Sequence, residues 1–262
     1  MAVVRPFRAL RYAESAGTPA ELCCPPYDIV SEEERLAFLA RNPNNVIRLE
    51  LPREGADPYA TAAQELARMT QEGILRREDA DCLYLYREAF TVKGRAYAFT
   101  GIVARVGLVP FSEGVVLPHE WTLSKAKQDR FALMDATRCN FSSIYSLYED
   151  ETGATAKRIA ALTAAEPDQS FTDGEGVTHS LWIVRDPEAT AALCADFADR
   201  KLYIADGHHR YETALAFRDH LRETGQAVPG DAADYCLMTL VAMDDPGLVV
   251  FPTHRLIRDL PD

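Results

Sequence analysis

The sequence predicts a mixed α+β fold, one mixed sheet with interspersed helices and hairpins. Two observations carry this. Strand-like and helical segments alternate without the strict β-α repeat of a doubly wound sheet, and adjacent strand-like runs are joined by short Gly-containing turns of the kind antiparallel hairpins need. At 262 residues the chain can bury a good core, and residues 1–262 are read as one large domain.

Taken in order, "CCPPYDIVSEEERLAFLARNP" opens with an extended Pro-Pro turn. Ser31 then caps a helix, with Glu34 three residues on completing a capping box. "VIRLEL" (46–51) alternates and reads as a strand; "DPYATAAQELARMTQEGI" is an amphipathic helix closed near Gly73. Residues 82–109 form a hairpin of aromatic and β-branched runs around Lys93-Gly94. A loop then leads to a helix at about 127–138 and a strand at about 143–148. A helix near 155–164 precedes strands at 168–172 and 177–185, parted by the turn "DGEG". "DPEATAALCADFADR" is a helix with Pro187 in its first turn. "KLYIAD" is a short buried strand, and "GHHRYETALAFRDHLRETG" a helix ended by Gly225. "YCLMTLVAM" and "GLVVFPTHRL" read as closing strands around "DDPG".

Bulk composition narrows the function. No apolar run approaches the roughly 18 residues that span a bilayer, and "MAVVRPFRAL" is too polar for a signal peptide. A cytoplasmic protein is expected. The formal net charge of −12 argues against DNA, whose phosphates call for an excess of Lys and Arg. Lys125, Lys127, Arg130 and Arg138 do cluster, within 14 residues, which suits the phosphate of a small molecule better than a duplex. The six cysteines lack the spacing of a zinc or redox motif and read as small apolar fillers.

The densest chemistry lies in "ADGHHRYETAL". A strand ending at Asp206 and a helix starting near His208 leave backbone N–H groups free at the helix start, where the macrodipole favours an anion. Gly207 permits a sharp turn and close approach of a ligand, and Arg210 can grip phosphate with a permanently charged fork. Together Gly207, His208, His209 and Arg210 read as a phosphate site. The structural alternative is that Asp206 caps the helix and the histidines are surface or core residues; five polar residues at one corner weigh against it. Adjacent histidines rarely face one metal together, so this pair alone predicts no metal centre.

The second concentration is "HEWTLSKAKQDR". His119 and Glu120 can supply a base or a metal contact, while Lys125, Lys127 and Arg130 can hold phosphate oxygens. By spacing alone the segment reads as a solvated loop and helix face. In "PPYDIV", two prolines hold the backbone extended and present Tyr27 and Asp28, as a pocket wall or as a structural turn. Asn140 and, in "PTHRL", His254 are further pocket candidates, His254 being equally an edge-strand residue. No Walker-type loop or protein-kinase catalytic loop is present.

Asp206-Gly207-His208-His209-Arg210-Tyr211 resembles the signature of the partition-protein-B/sulfiredoxin superfamily, and most closely its free serine kinase branch. Sulfiredoxins carry their catalytic cysteine where this chain has His208, so that activity is not implied. More widely, "RPFRALR", "PPYDIVSEEE", "LPHEWTLSKAKQDRFALMDATRCNFSSIYSLY", "ADGHHRYETAL" and "PTHRL" resemble, in this order, the family called domain of unknown function 1015. Its members usually continue past the position of Leu256, so the resemblance implies a shortened chain. It also favours function over a solvated face for "HEWTLSKAKQDR". Two readings follow. The first is a nucleotide-dependent phosphotransferase acting on a small hydroxyl compound, with free L-serine the first guess. ATP, ADP or CTP would be the cofactor, Mg2+ would bridge its phosphates, and Asp206 or Glu120 would be the base. The alternative is a non-catalytic nucleotide sensor or switch related to partition proteins.

Overall fold

The computed structural model describes residues 1–122 and 124–250, and the side chains of these except 124–126. In chain order the elements are β1 (Val4–Arg5), β2 (Leu10–Tyr12), α1 (Pro19–Leu22), α2 (Glu32–Arg41), α3 (Ile47–Glu50), α4 (Pro58–Gln71), β3 (Leu75–Arg77), β4 (Leu83–Val92) and β5 (Arg95–Gly107). There follow β6 (Val116–Leu117), α5 (Ser124–Thr137), β7 (Ile144–Tyr148), α6 (Ala154–Leu162), β8 (Gln169–Thr172), β9 (Thr178–Val184), α7 (Pro187–Ala195), β10 (Leu202–Asp206), α8 (His208–Glu223) and β11 (Tyr235–Ala242).

Local chemistry accounts for most of these boundaries. Ser31 and Glu34 form the reciprocal capping box at the start of α2. Asp57 caps α4, accepting from the amides of Tyr59 and Ala60, with Pro58 in the first turn. Lys93 and Gly94, at φ 50° and 79°, make the left-handed two-residue turn that joins β4 to β5. In "DGEG" the Asp173 carboxylate accepts from the amides of Glu175 and Val177, closing the β8–β9 hairpin.

A nine-stranded mixed sheet runs in the order β6-β10-β7-β11-β5-β4-β9-β8, with β1 paired to β5 off that path. The pairs β6–β10 and β7–β11 are parallel, and the remaining ones antiparallel. β2 and β3 form a separate two-stranded ribbon. The main core follows the period of two: Ile102, Ala104 and Val106 of β5 are fully buried beside Leu83 and Leu85 of β4 and Met238 and Leu240 of β11. Tyr211 and Ala214 of α8 pack into this same core. Leu49, Met69 and Leu75 form a smaller cluster under α3, α4 and β3. No described helix is long and apolar enough to cross a membrane.

Two sequence expectations are corrected. Residues 46–51 are not a strand: the Asn45 side chain accepts from the Ile47 amide at 3.0 Å and starts the helical turn of α3. Asn45 is itself fixed by donating to the carbonyls of Glu21 and Cys23, so the turn is set by α1 and the loop after it. The expected strand beginning at Gly247 is absent over 247–250; its remainder, with His254, lies outside the described residues. β1, β2, β3 and β6, at two or three residues each, are too short to show a period.

Gly101, buried in β5, lets β11 approach closely. A Cβ there would sit 2.6 Å from Thr239 Cγ2 and 3.0 Å from Val241 Cγ2. Gly101→Ala should therefore cost about 1–3 kcal/mol, the usual price of overpacking a core, read as a lower urea midpoint at unchanged slope. An unchanged midpoint would show that this strand pair has slack.

Candidate functional site

The β10–α8 corner is built around one glycine. Gly207 is buried and left-handed (φ 94°, ψ 27°), and a Cβ on it would meet the Arg210 guanidinium at 2.9–3.1 Å. Both facts favour glycine. Among the described residues no side chain caps α8, and its first turn holds no acid. The first turn therefore presents amide donors and the positive end of a 16-residue helix. The strand before it is irregular, since the β10–β7 register shifts between Ile204 and Asp206.

On one side of this start lie His119 and Glu120. His119 Nδ1 is 2.7 Å from the Ile204 carbonyl. A carbonyl only accepts, so Nδ1 carries a proton. The His119 amide donates to Nε2 of His208 at 3.2 Å, which places the His208 proton on Nδ1. His208 is 1% exposed, and burial holds its pKa below the ordinary imidazole value, with the Glu120 charge acting in the opposite direction. Glu120 Oε1 lies 3.0 Å from Nδ1, yet Nδ1 makes no hydrogen bond among the described residues.

One ligand atom from each of His119, Glu120 and His208 falls within 4.8 Å of the others, close enough to hold a metal ion. The tautomer argues against that use. His208 could offer Nδ1 to a metal only by losing the proton that the His119 amide places there.

On the other side, Arg130 and Arg210 line one pocket with Tyr27, Glu50, Asn140, Ser142 and Thr213. The Arg130 guanidinium stacks over the Tyr27 ring at 3.9 Å and donates to the Glu50 carbonyl at 2.9 Å. Glu50 is 6% exposed; burial pushes its pKa up, opposed by the Ser142 hydroxyl, which donates to it, and by the two arginines.

The structure thus brings "HEWTLSKAKQDR" and "ADGHHR" together, as Tyr27, Arg130, Asn140 and Arg210 share a pocket and His119 and Glu120 touch His208. Several cations are already paired. Arg210 donates to Asp206 Oδ2 and to the Ser143 carbonyl, each at 2.5 Å, and Lys127 pairs with Glu212 at 2.6 Å. His209 is half-buried and interacts with the Glu212 charge. Asp28 is exposed beside Tyr27. The side chain of Lys125 and all of His254 lie outside what is described.

Glu50, Ser142 and Thr213 were not legible as site residues. An acid between two leucines in "VIRLEL" was the available signal for Glu50, but the segment was read only as an alternating strand. Thr213 follows Arg210 by three residues, the spacing of one helix face.

A histidine whose folded pKa is depressed binds its proton more weakly in the native than in the unfolded chain. Its contribution is present above the unfolded value of about 6.5 and is lost as pH falls below it toward the folded value. The wild type should therefore lose thermal stability more steeply than His208→Asn between about pH 7 and 5.5. Parallel Tm-versus-pH curves for the two would show that burial of His208 does not control its proton.

No curated protein and no solved structure matches the chain. The profile of the family described as protein of unknown function (DUF1015) matches residues 4–262, and the chain belongs to that family.

Proposed function

We propose that this protein binds the phosphates of a nucleotide at the start of α8 and transfers the terminal phosphoryl group to a small hydroxyl compound. The observation that carries the reading is the uncapped start of α8 on a left-handed Gly207, flanked by the Arg210 guanidinium and by the carboxylate of Glu120. Helix amides and an arginine fork are what a phosphate needs. A carboxylate beside them is what a phosphate sensor does not need. The resemblance of "DGHHR" to the free serine kinases supports the same reaction, with L-serine the first acceptor to test and ATP, ADP and CTP the nucleotides.

In this reaction the acceptor oxygen forms a bond to phosphorus, the bond to the leaving nucleotide oxygen breaks, and the hydroxyl proton passes to a carboxylate. Glu120 is the better base. Asp206 is held by Arg210 at 2.5 Å, whereas Glu120 is 51% exposed beside a histidine that donates no hydrogen bond to it. His208, kept neutral by burial, does not compete for a proton near pH 7. Asp206, 70% exposed, has the hard oxygen donors that Mg2+ takes alongside phosphate oxygens and water. Mg2+ bound there would neutralise phosphate charge.

Calorimetric titration with ATP, ADP and CTP, with and without Mg2+, tests the binding step. Arg210→Ala should weaken the best nucleotide by about 1.5–3 kcal/mol. Glu120→Gln should slow turnover by about 10²–10⁴-fold with affinity little changed, and Asp206→Asn should slow it less. No binding of any nucleotide refutes the site; binding without a phosphorylated product from a panel of amino acids and alcohols refutes the transfer.

A further inference from the structure

The pocket on the Arg130 side of α8 has a composition of its own. Its cavity volume is about 40 Å³, room for a few water-sized groups and well below the roughly 300–1,000 Å³ of sites that enclose a drug-sized ligand. A nucleotide is too large for it; a molecule of a few heavy atoms is not. Its polar lining is rich in donors. Arg130 commits three of its N–H groups, to the Glu50 carbonyl and the Asp129 carboxylate, and Arg210 commits two, to Ser143 and Asp206. A guanidinium has five, so both retain donors. The anions that pair with them, Asp129 and Asp206, are not part of the pocket lining. Asn140 and the Tyr27 ring stand in the same wall.

Thr213 supplies an independent observation. It is 1% exposed and lines the pocket, yet its hydroxyl has no hydrogen-bond partner among the described residues. A buried hydroxyl left unpaired is costly, and such groups in native proteins call for an explanation. A bound ligand that pairs with it is one.

We propose that this pocket binds the carboxylate of a small hydroxy or amino acid, held by Arg130 and Arg210 and by the Thr213 hydroxyl. A planar carboxylate matches the guanidinium fork and satisfies surplus donors, which a neutral alcohol does not. Glu50 is the sole acid in the lining, set against the two guanidinium groups of Arg130 and Arg210, so the charged groups of the lining sum to a positive charge. Because Arg210 serves both this pocket and the start of α8, a molecule seated here has its far end near the phosphates. Its assignment as the phosphoryl acceptor rests on the reaction proposed above; its binding does not.

The test uses the full chain and two matched pairs of probes. Glycerate and L-serine carry the carboxylate, while glycerol and ethanolamine lack it. At millimolar concentration the two acids should raise Tm and give a calorimetric signal, and their partners should not. Thr213→Val keeps the shape and removes the orphan hydroxyl, so its Tm without ligand should equal or exceed that of the wild type while carboxylate affinity falls about 10-fold or more. Asn140→Asp, at an exposed position, places a negative charge in the wall and should weaken the acids without unfolding the protein. Equal responses to acids and alcohols, no response to either acid, or unchanged affinity in both variants overturns the proposal. Nucleotide titration of the same preparation separates the two readings. Carboxylate binding without nucleotide binding refutes phosphoryl transfer and leaves the pocket standing. Nucleotide binding without a carboxylate response refutes the pocket and leaves the helix start.

Discussion

Everything at the candidate site depends on how firmly the first two turns of α8 are pinned. The pin is Tyr211, which is fully buried; its hydroxyl donates to the Val109 carbonyl at 2.7 Å and accepts from the Val109 amide at 3.1 Å. Two turns on, Arg218 donates to the Leu108 carbonyl at 2.9 Å. The helix is thereby tied to the chain just beyond β5, a central strand of the sheet. Buried side chain–backbone bonds of this kind are each worth about 1 kcal/mol net, but breaking one strands its partner in the core at a larger cost. The helix start is therefore held by the core itself, and Gly207 has to absorb the turn between a strand and a helix that cannot move apart.

In an acidic chain the pairing of the cations shows which are held loosely and which firmly. Lys127 and Glu212 are about a third exposed, so their ion pair is worth at most about 1 kcal/mol. Arg130 is different. At 7% exposed, with Asp129, the Glu50 carbonyl and the Tyr27 ring around it, it is fixed in place, and removing a partner from a buried charge costs several times as much. Lys127 is thus the loosely paired cation of the site and Arg130 the firmly held one. This division was not visible in a sequence where both stand in one basic run.

What was legible in the sequence was what local chemistry fixes. Ser31 with Glu34, Asp57 with Pro58, and Lys93-Gly94 each announce a boundary, because the responsible atoms lie within a few residues of one another. The turn of α3 was not legible, since Asn45 directs it only after being held by Glu21 and Cys23, more than 20 residues earlier. The parallel pairing of β6 with β10 and of β7 with β11 spans longer separations still. At the site, Gly207, His208 and Arg210 stood out as a motif. Glu50 and Thr213 did not, for a buried acid or hydroxyl is functional only through neighbours that folding supplies.

Arg210 stands where the start of α8 meets the Glu50 pocket. Its NH1 and NH2 groups reach Ser143 and Asp206, which set the plane of the guanidinium over Gly207. Three of its five N–H groups remain uncommitted. The plane is fixed by protein acceptors before any ligand arrives, so little side-chain entropy is left to lose on binding. One edge of that plane belongs to the helix start and the guanidinium also lines the Glu50 pocket. A lysine would carry the same charge but no plane to orient. The Asp206–Arg210 ion pair is therefore also what fixes the arginine between the start of α8 and the Glu50 pocket.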